Sequence, residues 1–254
     1  LGSKNVLLYK YWKKKKGKFR YCETIKKRRW LTNMALELST FSIVAHCPRT
    51  DMLGVAVATA VPAVGMLCPF VRSGVGAVST QSWVNPYLAI EALELMADGT
   101  SGPKALDLVL ANDESADSRQ IGVVDAVGRS AAWTGKDCTS WFGQIVEPGF
   151  TVQGNMLVGE KTLTAMATSF RSNSNDDLAE RLVLALEAGD AAGGDKRGKQ
   201  SAALRVHHTQ EYPWLDLRVD EHAKPVSELR RILTIARQQL LQFIDGMPKL
   251  GKAA

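Results

Sequence analysis

"TFSIVAHCPRTDMLGVAVATAVPAVG", Thr40 to Gly65, places two apolar runs rich in β-branched and small residues on either side of "CPRTDM". Runs of this length, interrupted by Pro, Thr and Asp, read as two buried strands joined by a turn. "GVGAVSTQSW" reads as a further strand. "NPYLAIEALELMADG" then reads as a helix in which Asn85 caps, Pro86 takes the first helical position and Gly99 ends the helix. "GPKALDLVLAND" is a second helix. "RQIGVVDAVGRSAAWTG" returns to strands around the turn "DAVGR", and "GFTVQGNML" alternates as another strand. Two more helices follow, "GEKTLTAMATSF" and "DDLAERLVLALEAG", the second with Leu178, Leu182, Val183 and Leu186 on one face and Gly189 as its expected stop. "QSAALRVHH" and "LDLRV" close the strands, and "PVSELRRILTIARQQLLQFIDG" is a last helix. Helix pairs set between runs of strands predict an α+β fold of antiparallel sheets covered by helices, rather than a parallel doubly wound sheet.

The net charge of +6 is unevenly spread. Leu1 to Met34 carries twelve Lys or Arg against Glu23 alone, and the remainder holds twenty bases against twenty-five acids. The basic balance therefore belongs to residues 1–34, which read as a disordered tail or an over-extended start. The folded part is mildly acidic, which argues against nucleic acid as its partner. Residues 35–219 form the expected domain and 220–254 a helical appendage. Nothing supplies about 18 uninterrupted apolar residues, so no membrane span is expected and the body reads as soluble. Four separated cysteines without a C-x-x-C pair argue against a structural zinc site and suit a reducing cytoplasm. No metal or cofactor is expected.

Several short motifs have simpler readings. "SGPK", Ser101 to Lys104, has the S-x-x-K spacing of serine acyltransferases, yet Ser101 stands where a helix cap belongs. "HHTQE" from His207 lies at a strand end and reads as exposed histidines, not metal ligands. His46 and Cys47 are strand neighbours and point to opposite faces.

"AAGGDKRGKQSAAL", Ala191 to Leu204, admits two readings. Gly193 and Gly194 can end the preceding helix with φ above zero while Lys196 and Arg197 complement its dipole. That leaves Asp195, Gln200 and Ser201 without a role, and a guanidinium such as that of Arg197 can fork onto a carboxylate.

With "TFSIVA", "GVAVAT", "GVGAVSTQ", "IGVVDAVGR", "VQGNML" and "GGDKRGKQSAAL" in this order, the chain resembles the domain of unknown function 1028 family over about Thr40 to Val219. The resemblance implies the N-terminal-nucleophile hydrolase fold, a four-layer αββα sandwich like that of proteasome β-subunits. In that superfamily a terminal Thr, Ser or Cys uses its own α-amine as base. It further implies Thr40 as nucleophile, Arg72 as the cation beside it, and Asn155 and Asp195 as groups that orient the amine. Ser79, Thr80 and Gln81 would then form wall and oxyanion groups, with Gly194, Arg197, Gln200 and Ser201 shaping the substrate pocket. Two departures stand beside it: "MALELS" precedes Thr40, and "GVAVATA" offers only Ala58 and Thr59 where proteasome-like enzymes carry an acid. The expected substrate is an amide or small peptide. The alternative is a non-catalytic module of the same fold that binds a small acidic ligand, a cell-envelope component or a protein partner. Leu229, Ile232, Leu233, Ile235, Leu240 and Leu241 would suit a homo-oligomer or packing within the chain.

Overall fold

The computed structural model describes residues 8–15, 18–25 and 36–251, divided into a unit of Leu1–Ala35 and a unit of Leu36–Ala254. In the first unit β1 (Leu8–Lys15) pairs antiparallel with β2 (Lys18–Ile25). For the rest of this segment, the expectation of a disordered or over-extended tail falls outside the described residues.

The second unit opens with β3 (Glu37–Leu38), β4 (Thr40–Cys47) and β5 (Met52–Thr59). A short helix α1 (Val64–Leu67), then β6 (Pro69–Arg72) and β7 (Gly76–Trp83), lead to the helix pair α2 (Pro86–Ala97) and α3 (Gly102–Ala111). Strands β8 (Arg119–Asp125), β9 (Ser130–Thr134), β10 (Gly143–Glu147) and β11 (Phe150–Gly154) follow. The second pair, α4 (Lys161–Ser172) and α5 (Leu178–Ala191), precedes β12 (Ser201–His207), β13 (Leu215–Val219), α6 (Pro225–Gln239) and α7 (Leu241–Gly246).

Two antiparallel sheets result. One has the order β10-β11-β4-β5-β12-β13. The other runs β3-β7-β8-β9, with β6 also on β7. Strand alternation sorts the side chains of β4: Phe41, Ile43, Ala45 and Cys47 enter a core with α4, α5 and α6, while Val44 joins Val71, Ala77 and Val124 between the sheets. Helices α2 and α3 bury Leu88, Leu93, Met96 and Leu106 on the outer face of the second sheet, against Val78, Ile121 and Val123. The result is a four-layer αββα sandwich.

Local chemistry sets the element ends. Two caps are conventional: Asn85 Oδ1 accepts from Tyr87 N at 3.2 Å, and Ser101 Oγ accepts from Lys104 N at 3.4 Å, so Ser101 serves as a cap. In the "DAVGR" turn, Asp125 Oδ1 accepts from the N–H groups of Val127 (3.1 Å) and Arg129 (2.9 Å), and Oδ2 accepts from Gly102 N at 2.9 Å.

Three expectations change. Helix α5 does not stop at Gly189 but runs on to Ala191, because Gly189 is where α5 presses on α4. A Cβ there would sit 2.7 Å from Met166 Cγ. The left-handed break falls instead at Gly193 (φ 116°) and Gly194 (φ 60°). His207 is not an exposed strand-end residue. Strand β12 carries it opposite Leu53, where it is 4% exposed. Lastly, α6 buries Val226, Leu229, Leu233 and Ala236 in the main core, leaving Ile235 and Leu240 of the anticipated apolar face exposed.

Candidate functional site

The chain crosses from one sheet to the other at Ser39. Leu38 pairs with Ser82 in β7, and two residues later Thr40 pairs with Thr59 in β5. Thr40 and Ser39 are therefore wholly buried at one end of the cleft between the sheets. The Thr40 hydroxyl donates to Thr59 Oγ1 at 3.3 Å, and the Thr59 hydroxyl donates to the Ser39 carbonyl oxygen. Two hydroxyls thus meet at one peptide carbonyl. The sequence marks Thr59 only, with Ala58, as standing where an acid is missing; its partner across the strand pair is what gives it a role.

Upstream residues are tied down. Val84 N donates to Leu36 O at 3.0 Å, and the Thr139 hydroxyl donates to Glu37 Oε1 at 2.6 Å. Ser39 Oγ bonds the Met156 sulfur. Two non-glycine residues in the left-handed region flank this join, Ser82 (φ 63°) and Met156 (φ 51°). Such backbone carries about 1–3 kcal/mol of strain each and gathers at functional sites.

Asn155 arrives on the other side. Its N–H donates to Thr40 O at 3.0 Å, and its Nδ2 donates to Gln120 Oε1 at 2.9 Å. Asp195 reaches the same end through a bridge to Leu157, with Lys196 N donating to Met156 O at 3.0 Å. Its carboxylate is 2% exposed, and Oδ1 accepts from Arg197 N at 2.9 Å. Burial raises its pKa from the ordinary carboxylate value, against the lowering effect of Arg197 and of the Ala60 N–H. Ala60 follows Thr59 directly, so Asp195 adjoins the strand end that holds the two threonines. Asn155 Oδ1 and Asp195 Oδ2 are buried acceptors without a hydrogen-bond partner, although the half-exposed Arg197 guanidinium lies 3.5 Å from the latter. That spacing is an attraction of charge without hydrogen-bond geometry.

Deeper in the cleft a polar layer joins the sheets. Ser42 Oγ lies 2.9 Å from Ser79 Oγ and donates to Gln81 Oε1 at 2.7 Å. Gln120, unremarked in the sequence, is its hub. Its Oε1 accepts from Gln81 Nε2 (2.7 Å) as well as from Asn155, and the two hydrogens of its Nε2 are shared among Thr134 Oγ1 (2.9 Å), Gly143 O (3.1 Å) and Gly154 O (2.9 Å). Gln81 Nε2 also lies 3.4 Å from Thr40 O.

The remaining expected residues divide. Gln200 N donates to Thr59 O at 2.7 Å, and Ser201 Oγ donates to Val61 O at 2.6 Å while accepting from Val64 N, so both anchor the turn after Thr59. Gly194 packs on the Phe41 ring, which a Cβ would approach to 2.9 Å. Thr80, between Ser79 and Gln81, faces the opposite side of its strand and bonds Asn85 O at 3.4 Å. Arg72 is exposed and pairs with Gly76, the end of β7 away from Ser82, so the fold does not bring it to Thr40. Lys196 donates to Ser140 O at 2.8 Å instead of capping α5. Among the described residues no group of three or more His, Cys, Asp or Glu is arranged to hold a metal, and no helix is long and apolar enough to cross a membrane.

Fold and site together define an αββα sandwich whose inter-sheet cleft ends in a pair of threonines. Residues 40–229 match the family described as "Family of unknown function (DUF1028)", and the chain belongs to that family. The crystal structure of protein SPO2555 from Silicibacter pomeroyi, of the same family, superimposes with a TM-score of 0.74 at 30% identity, covering 82% of this chain and 93% of that one. Anbu (ancestral beta-subunit) from Yersinia bercovieri superimposes with a TM-score of 0.39 at 11% identity, over 83% of this chain and 99% of that one, a likeness too slight to carry weight. No curated protein matches the chain.

Proposed function

We propose that this protein is a latent N-terminal-nucleophile hydrolase of an amide or small peptide, activated by cleavage between Ser39 and Thr40. The observation that carries the reading is the contact of the Thr40 hydroxyl with Thr59, whose own hydroxyl is bonded to the Ser39 carbonyl oxygen. Attack of Thr40 Oγ on the Ser39 carbonyl carbon would form an ester as the peptide C–N bond breaks and the nitrogen takes the hydroxyl proton. Water would then hydrolyse the ester. The Thr59 hydroxyl is placed to donate to the oxygen on which charge develops. The family match begins at Thr40 itself, which supports the same boundary.

A freed amine has a pKa of about 8, and its buried surroundings favour the neutral form that acts as base. The unpartnered oxygens of Asn155 and Asp195 would accept its hydrogens. Residues 35–219 remain the proposed enzyme domain, with α6 completing its core, working in a reducing cytoplasm; Cys47, Cys68 and Cys138 are free.

The docking of Leu36 to Ser39 favours a second reading, a module that never frees the amine and binds a small acidic ligand, a cell-envelope component or a protein partner in the same cleft. Intact-mass measurement separates the two. A chain beginning at Thr40, with Thr40→Ala left whole, supports hydrolysis. A wild-type chain that stably retains the upstream residues sinks it.

A further inference from the structure

Residues 36–39 fill a slot that other parts of the fold supply. Strand β6 covers the edge of β7 from Gly76 to Ser79, and β3 takes up the same edge further along, where Leu38 pairs with Ser82 and Glu37 with Trp83. Val84 N donates to Leu36 O at 3.0 Å. The remaining contacts come from Met156 and the loop of residues 139–141, fastened together by Met156 N to Thr139 O and Leu157 N to Trp141 O, both at 2.9 Å. The Thr139 hydroxyl donates to Glu37 Oε1 at 2.6 Å, and the Ser39 hydroxyl bonds the Met156 sulfur. Cover increases along the segment: Leu36 is 46% exposed, Glu37 partly covered, and Leu38 and Ser39 wholly buried.

This is how a peptide sits when it adds a strand to a sheet edge, with main-chain bonds for adhesion and side-chain pockets for choice. We propose that the slot is a peptide-binding groove, filled here by the chain's own upstream segment, and that its ligand is an extended peptide ending in an acid, a leucine and a small residue. A two-residue strand makes few main-chain bonds, so the side chains decide what stays: a leucine out of water, a carboxylate on the Thr139 hydroxyl, and a residue small enough to be buried beside Thr40.

The position of Thr40 sets the direction. Strand β4 leads away downstream, and the hydroxyls of Thr40 and Thr59 meet at the Ser39 carbonyl. An acyl group offered to Thr40 in a cut chain therefore has its carbonyl near that place and its preceding residues in the slot. Loss of residues 36–39 would bare the backbone of Ser82 and Trp83 and empty the space of Leu38, which a substrate of the same pattern refills. That role as substrate groove rests on the hydrolase reading above; the groove's affinity for a peptide does not.

Two full-length chains test the groove, one with Thr40→Ala and one with Thr40→Ala and Leu38→Asp, so that neither is cut and only the second has its own segment displaced. A Leu-Glu-Leu-Ser peptide carrying fluorescein on its amino end is titrated into each and read by fluorescence anisotropy. A tethered segment competes at an effective concentration near millimolar, so the peptide should bind the second chain at least about tenfold more tightly than the first. The same peptide with Asp for its second Leu should bind at least about tenfold more weakly. If the double variant does not fold, Thr40→Ala with Gly-Ser-Gly-Ser in place of residues 36–39 replaces it. No binding, equal binding to both chains, or equal binding of both peptides overturns the groove.

A second readout separates the groove from the chemistry. Protein beginning at Thr40 is given the aminocoumarin amides of the two peptides, each hydrolysed to the free peptide acid and aminocoumarin. Cleavage of the leucine peptide at least about tenfold faster supports the groove as the substrate's site. Binding without cleavage keeps the groove and sinks the hydrolase reading, and cleavage of both at one rate keeps the hydrolase and overturns the groove.

Discussion

The hydroxyls of Thr40 and Thr59 lie 3.3 Å apart because the two residues are register partners, one opening β4 and the other closing β5. If their contact organises cleavage, Thr59→Val should keep the fold and slow release of a chain beginning at Thr40 by about 100-fold, the usual effect of losing one donor to a developing oxyanion. Arg72→Ala, on β6 beside the far end of β7, should leave the rate unchanged. Time-resolved intact mass on freshly refolded protein reads both, and equal rates in Thr59→Val and wild type would dismiss Thr59.

Gln120 ties the two sheets together beneath the site. Gln120→Leu removes the acceptor of Gln81 Nε2 and Asn155 Nδ2 and the donor to three further oxygens. With buried polar groups left unsatisfied, the expected loss is about 2–4 kcal/mol in urea unfolding. A change below about 0.5 kcal/mol would mean that the layer is not structural.

Gly122 leaves room for that layer. A Cβ there would fall 2.3 Å from Gln153 Oε1 and 2.5 Å from Thr151 Oγ1, so Gly122→Ala must displace both side chains from their place in the cleft. A lower thermal midpoint is expected, equivalent to about 1–3 kcal/mol.

His207 is buried with neither ring nitrogen bonded, and burial together with the Arg205 charge lowers its pKa to about 4. The unfolded chain, with its histidine near 6.5, binds the proton more readily, so stability is full above that pH and is lost as pH falls towards 4. The loss over this window is roughly 3 kcal/mol, and His207→Leu should flatten it. Urea midpoints between about pH 7 and pH 4.5 measure the slope; identical slopes in variant and wild type would rule His207 out.

Leu229 and Leu233 on α6 are fully buried in the main core. Truncation after Val219 should therefore yield a chain without a cooperative unfolding transition, and Leu233→Ala should cost about 2–5 kcal/mol. A truncated chain that unfolds cooperatively would restore α6 to the status of an appendage.

The sequence by itself determined the main strands, the two helix pairs and their layering, while the short β3, α1, β6 and β10 and the break of the last helix at Leu240 were not legible in it. The runs of "TFSIVAHC" and "MLGVAVAT", the caps Asn85 and Ser101 and the apolar face of α5 are local signals, set by alternation, turn chemistry and helical spacing. Tertiary structure decided what meets what. A strand's register chooses its neighbour, so Thr59 became the partner of Thr40, Arg72 was carried to the far end of the cleft, and His207 went inside. Gln120 carries no motif at all; its role arises only where two sheets bring distant polar groups together out of water and oblige them to find one another.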